Sequence, residues 1–193
     1  GLKLLKFKNL AGTAGVKCAV STRPGGVSPA PYDGLNLGFG TKDSPANALA
    51  NLKLFCAALD APFERAVRMR QIHMANVKVI DRDFEFASAP AALANTDALI
   101  TGLKGVPLLA LSADCALAVF YDPARSVLAV CHSGWRGAML NICAQTAAAM
   151  RLRYGTKPED LIVGVSPMIS AEPCCKMRTS TSGSVDGRVA GRA

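Results

Sequence analysis

Histidine is almost missing from this sequence, which has only His73 and His132 among its 193 residues. That scarcity excludes chemistry that needs a cluster of imidazoles. Aromatic residues make up 6% of the chain, with a single tryptophan. So few stacking platforms argue against a single-stranded nucleic-acid binder. Lys and Arg outnumber Asp and Glu by 22 to 14, for a net charge of +8. The basic residues are scattered singly or in pairs, so no nucleic-acid stripe forms and only a mild preference for small anions follows. The longest apolar run, residues 106–121, is interrupted by Asp114, and the first residues, GLKLLKFKNL, contain no long apolar block. Neither a membrane span nor a signal peptide is expected. CxxC pairs are also lacking, and the seven cysteines are an odd number that sit mostly in apolar runs. A disulfide framework is therefore not expected, and a reducing, cytoplasmic setting is.

What is present is the balance of one compact domain, with half of the residues apolar. Short runs rich in Val and Leu alternate with helical patterns, the mark of a mixed α and β domain. Strands are expected over residues 15–21, 76–81, 106–121, 126–131 and 160–165. Ser44 and Pro45 start a helix whose apolar stripe is Leu49, Leu52, Phe55, Ala58 and Leu59. A longer helix is expected over residues 134–154, stopped by Gly155. The composition shifts once, after Met177, to the small and polar RTSTSGSVDGRVAGRA. Residues 178–193 are therefore expected to form a disordered tail.

Both histidines lie at or beside the end of an expected strand. A fold-back about Pro123 and Ala124 would set Cys115 opposite His132, within reach of one metal ion. His73, in QIHMANVKV, would add a third ligand and leave one position open, as a catalytic zinc requires. Two other readings suit the same residues. Cys115 can be a buried core thiol beside histidines that serve only as hydrogen-bonding groups, or Cys115 and His132 can act as a metal-free nucleophile and base.

Arg23, in STRPGGVS, and Arg136, in HSGWRG, sit among glycines that let a ligand come close to the backbone. Each guanidinium offers a planar fork to phosphate or carboxylate. Arg136 also opens the expected long helix, where unpaired amides favour an anion. Either arginine can equally be a solvated surface residue beside a turn. Trp135 is expected to be a packing residue, and Asp114, beside Cys115, is a candidate to bind substrate, orient a ligand or shuttle a proton, or equally to make a structural hydrogen bond to a loop.

The segments STRPGGVSPAPYDGLNLG, QIH, NTDALIT, SADC, HSGWRG and GVSPMISAEPCC occur in an order that resembles the YfiH-like laccase-domain family, from about Thr22 to Cys175. The resemblance implies an α+β fold with a layered α/β/β/α arrangement of mixed sheets in a single domain. It implies zinc held by His73, Cys115 and His132, and a substrate or phosphate contact from Arg23. Members of this family, formerly labelled polyphenol oxidases, are described as acting on purine nucleosides by phosphorolysis and by adenosine deamination. The implied ligands are thus a purine nucleoside and phosphate.

This chain departs from the family pattern in several places. GFGTKDSP lacks a histidine usual after LNLG, NLKL lacks an arginine that often follows the asparagine, and CCKM replaces CCYEV. The similarity stops near Cys175, so residues 1–177 are expected to be a C-terminally incomplete laccase domain. Two rival functions stand beside the zinc enzyme. One is a copper-dependent polyphenol oxidoreductase, because two histidines and a cysteine also ligate blue copper. The other is a non-catalytic, zinc-stabilised binding module linked to peptidoglycan precursor quality control.

Overall fold

The computed structural model describes residues 1–86 and 89–170. In chain order the elements are β1 (Leu4–Leu5), β2 (Val20–Ser21), α1 (Pro45–Ala57), β3 (Val67–Arg70), β4 (Val77–Ile80), β5 (Ala91–Ala94) and β6 (Ala98–Thr101). They continue with β7 (Leu108–Leu109), β8 (Ala116–Asp122), β9 (Val127–Ser133), α2 (Trp135–Met139), α3 (Ile142–Tyr154) and β10 (Ile162–Val165). The larger sheet has the order β10-β8-β9-β6-β4, antiparallel except where β6 and β4 run parallel. A smaller parallel sheet has the order β5-β3-β7, and β1 pairs with β2.

Strand alternation sorts the side chains into layers. Ala98, Ile100, Ala118, Phe120, Ala129 and Cys131 face α3, where Ile142 and Met150 are fully buried. On the opposite face, Leu99, Val119, Tyr121 and Val130 pack with Val67, Met69 and Ala91 of the smaller sheet. Outside that sheet, α1 lays Leu52, Phe55 and Cys56 on Ala66 and Leu109. The order is helix, sheet, sheet, helix, as the layered expectation requires. Strand β6 is buried along its whole length because both of its faces are covered.

Ser44 caps α1 by accepting from the Ala46 amide at 3.3 Å, and Pro45 occupies its first turn. Gly155, at φ 70°, closes α3. Other expectations need correction. Within residues 15–21 only Val20 and Ser21 pair. Val16 and Cys18 instead press against the core without a ladder partner, so their alternation reports one-sided burial. The run 106–121 is two strands in different sheets, because Gln71 captures the backbone of Leu111 between them. The long helix breaks at Asn141, whose φ of 56° is left-handed, giving α2 and α3. Residues 178–193, expected as a disordered tail, lie outside the described residues, as do Cys174 and Cys175.

Candidate metal centre

His132 is the penultimate residue of β9 and continues the alternation of Leu128 and Val130, so its ring faces the space between the sheets and is only 2% exposed. Cys115 immediately precedes β8, and His73 follows β3 at φ 61°. One donor atom from each of the three lies within 4.8 Å of the others. The two imidazole rings meet edge to face, with centroids 4.7 Å apart.

The expected convergence is therefore present, but not by the expected register. Leu117, rather than Cys115, is the ladder partner of His132, because the hairpin loop takes in Ser126 at φ 56° as well as Pro123 and Ala124. Cys115 lies just beyond the ladder, beside Gly134. A Cβ on Gly134 would fall 2.8 Å from His73 Cδ2, 3.1 Å from Cys115 Sγ and 3.6 Å from His132 Cε1. Gly134 has a φ of −72°, which any residue adopts, so glycine is needed here for room.

Asp97 ties the trio together, and residue types alone did not single it out. Its fully buried carboxylate accepts hydrogen bonds from the amides of Ile72 (3.2 Å), His73 (2.9 Å) and Met74 (3.1 Å). It also stands 3.1 Å from Nδ1 of His132, and its carbonyl accepts the His132 amide at 2.7 Å. A carboxylate only accepts, so Nδ1 carries the proton and Nε2 is left with a free lone pair. The three amides also hold His73 in a left-handed conformation that costs about 1–2 kcal/mol. Burial pushes the His132 pKa down and so favours the neutral imidazole, an effect that Asp97 partly counters. The available sequence signal was an acidic residue directly ahead of the fully buried β6, in NTDALIT. Aspartate is rarely buried without partners.

The loop bearing Cys115 is fixed on both sides. The Gln71 side chain donates to the Leu111 carbonyl at 2.7 Å and accepts the Leu111 amide at 2.8 Å. The Ser112 hydroxyl donates to the Cys115 carbonyl, and the Ile169 amide donates to the Asp114 carbonyl at 2.9 Å. The Asp114 side chain is exposed.

His73, Cys115 and His132 open onto a cleft of about 1600 Å³, which Asp114 and Arg23 also line. The Arg23 loop is held by Asn51, fully buried on α1. Asn51 accepts the Val27 amide at 2.8 Å and donates to Ser28 Oγ, the Gly34 carbonyl and the Asn36 carbonyl. Within that loop a Cβ on Gly34 would fall 2.1 Å from the Arg23 carbonyl oxygen, and Gly34 has a φ of 93°. Asp43 accepts from Ser28, Asn36, Asn47 and the Ser44 amide, which together lower its pKa to about 2. Arg136 is placed on α2. It lies outside the cleft lining, exposed, with its guanidinium 5.1 Å from the Trp135 ring centroid. Because α2 is only five residues long, Arg136 does not stand at the start of the long helix expected there. Trp135, expected to pack, is 72% exposed.

A family model described as multi-copper polyphenol oxidoreductase laccase matches residues 17–184. A purine nucleoside phosphorylase of Deinococcus radiodurans is 36% identical over 172 residues, covering 89% of this chain and 62% of that protein. Purine nucleoside phosphorylase YlmD of Geobacillus stearothermophilus is 30% identical over 165 residues, covering 84% of this chain and 60% of its own length. The crystal structure of the Bacillus licheniformis hypothetical protein YfiH superposes with a TM-score of 0.74 at 30% identity, covering 82% of this chain and 60% of that one. The chain thus spans about six-tenths of the length of the curated relatives it matches.

Proposed function

The chain belongs to the multi-copper polyphenol oxidoreductase laccase family, and from that membership we propose a zinc-dependent enzyme that processes purine nucleosides. The observation that carries this reading is the convergence of His73, Cys115 and His132 within 4.8 Å at the edge of an open cleft. The similarity to proteins named purine nucleoside phosphorylase supports the substrate class. Two imidazoles and one thiol form a donor set suited to zinc, and three protein ligands leave one position for solvent or substrate. The space that a side chain at Gly134 would fill fits the same reading.

Zinc held there supplies a Lewis acid that polarises a substrate oxygen and eases deprotonation of water near neutral pH. The chain's own residues supply position and charge. Asp97 fixes the proton of His132 on Nδ1 and sets the backbone of His73. The Arg23 guanidinium, on the wall of the cleft, pairs with phosphate oxygens. Asp114, exposed beside Cys115, accepts hydrogen bonds from a nucleoside. In phosphorolysis a phosphate oxygen bonds to the anomeric carbon as the bond to the purine nitrogen breaks, and the base leaves with a proton. In deamination water adds at C6 of adenosine and ammonia departs. Both reactions use a small anion or water beside a bound purine nucleoside, which suits a cleft lined by Arg23. The free cysteines among the described residues suit a reducing cytoplasmic setting. Among the described residues, no helix is long and apolar enough to cross a membrane.

The family description names copper, and the trio would also ligate a blue-copper ion. Both histidines of this chain are already in the trio, so it has none left for a further copper cluster. Metal analysis of the purified chain, followed by incubation with adenosine, inosine and phosphate, tests the proposal. Zinc near one equivalent, with release of adenine, hypoxanthine or ammonia that Cys115→Ala abolishes, is expected. An intensely blue copper protein would establish the oxidase reading. Folded, zinc-replete protein without turnover would favour the binding module.

A further inference from the structure

Two sulfur atoms meet outside the trio. Cys131 on β9 and Cys143 in the first turn of α3 have Sγ atoms 3.6 Å apart. Cys131 is fully buried on the face that packs against α3, and its ladder partners are the small residues Ala98 and Ala118. Cys143 is half-buried. Among the described residues, neither Cys18 nor Cys56 has a sulfur neighbour of this kind.

We propose that Cys131 and Cys143 are a reversible oxidation site that closes to a disulfide in the presence of a peroxide. The inference rests on this pair alone and stands whichever metal the trio holds. Cys143 is the attacking group. It lies near the surface in the first turn of a 13-residue helix, where unpaired amides favour a thiolate. The neighbouring Cys131 thiol, and to a lesser degree the Ser133 hydroxyl, lowers its pKa against the opposing effect of burial, while Cys131 itself is held protonated.

The Cys143 thiolate attacks one peroxide oxygen and becomes a sulfenic acid, while the O–O bond breaks and the other oxygen leaves as hydroxide. Cys131 then attacks the sulfenic sulfur. An S–S bond forms, the S–O bond breaks, and the departing hydroxide combines with the Cys131 proton as water. Two thiols are oxidised to one disulfide, and one peroxide is reduced to two waters, the first hydroxide taking up the proton that Cys143 had released. A disulfide length of about 2.05 Å requires the sulfurs to close by roughly 1.5 Å. The bond would tie the start of α3 to β9 and enclose the segment that carries His132, Gly134 and α2. An external dithiol would reverse it.

The test exposes the metal-replete full chain to graded hydrogen peroxide. Remaining thiols are alkylated under denaturing conditions and peptides are mapped with and without reduction. A peptide pair linking Cys131 to Cys143 should become the major form of both cysteines and vanish with dithiothreitol, while Cys56 stays alkylated. Cys143→Ser should leave Cys131 as an alkylated thiol under the same treatment. The proposal is overturned if both cysteines remain alkylated at every dose the fold survives. It is equally overturned if Cys143 advances to sulfinic acid beside a free Cys131, or if either cysteine links chiefly to another partner.

Discussion

The carboxylate of Asp97 stands 3.1 Å from Nδ1 of His132 and also takes the backbone amide of His73 at 2.9 Å, so one buried group orients two of the three proposed ligands. Removing it should disturb the metal more than the overall fold. Asp97→Asn keeps the volume but cannot accept all four donors, and loss of such an orienting partner typically costs about 10–100-fold in metal affinity. Competition of the variant against a chromogenic zinc chelator measures the loss. Affinity within twofold of the parent protein would defeat this role for Asp97.

Gly134 makes a prediction that separates crowding from backbone strain. Its φ of −72° suits alanine, so Gly134→Ala should not distort the chain. The added Cβ would nevertheless sit 2.8 Å from His73 and 3.1 Å from the Cys115 sulfur. Zinc affinity should fall at least tenfold while the apo protein melts within a few degrees of the parent. Gly40→Ala is the control, because a Cβ there meets nothing within 4 Å. Equal zinc titrations for the two variants would show that the site has slack.

These two residues also show what residue types and spacing could reveal. Scarcity made His73 and His132 conspicuous, and apolar alternation put His132 near a strand end. Cys115 reached the site despite a hairpin shifted by two residues, because its loop is set by Gln71 and Ile169, tertiary contacts invisible to local patterning. Asp97 went unremarked because a single aspartate carries no period, and its meaning arises only when residues 72–74 fold over it. Strands β3, β5 and β6 are four residues each, too short for alternation to stand out, and β6 is buried on both faces. The long helix expected over residues 134–154 breaks for a related reason. The pattern continued across Asn141, but the backbone turned there.

Asn51 should be a stability residue that leaves the metal untouched. It is fully buried and its side chain takes part in four hydrogen bonds with the Arg23 loop. Asn51→Ala strands several buried polar groups, and at about 1–3 kcal/mol for each unsatisfied group the net loss should reach roughly 2–4 kcal/mol after relaxation. Urea unfolding reads that loss directly, and zinc stoichiometry should stay unchanged. A stability change below about 0.5 kcal/mol would mean that the loop is held by other contacts.

Acid should loosen the same loop through Asp43. Hydrogen bonds from Ser28, Asn36 and Asn47 bring its carboxyl to about 2, below the ordinary value of 3.8. A group whose pKa is depressed in the folded state stabilises fully above its unfolded pKa, and that contribution declines as pH falls through the folded value. Asp43 should therefore support the fold above about pH 4 and cease to do so near pH 2. Asp43→Asn removes the titration, so urea unfolding between pH 5 and pH 2 should show a shallower acid decline than in the parent protein. Parallel pH curves for the two proteins would place the acid sensitivity at other carboxylates. The loop that presents Arg23 to the cleft would then be held by Asn51 and by its own backbone bonds, such as that from the Leu35 amide to the Arg23 carbonyl.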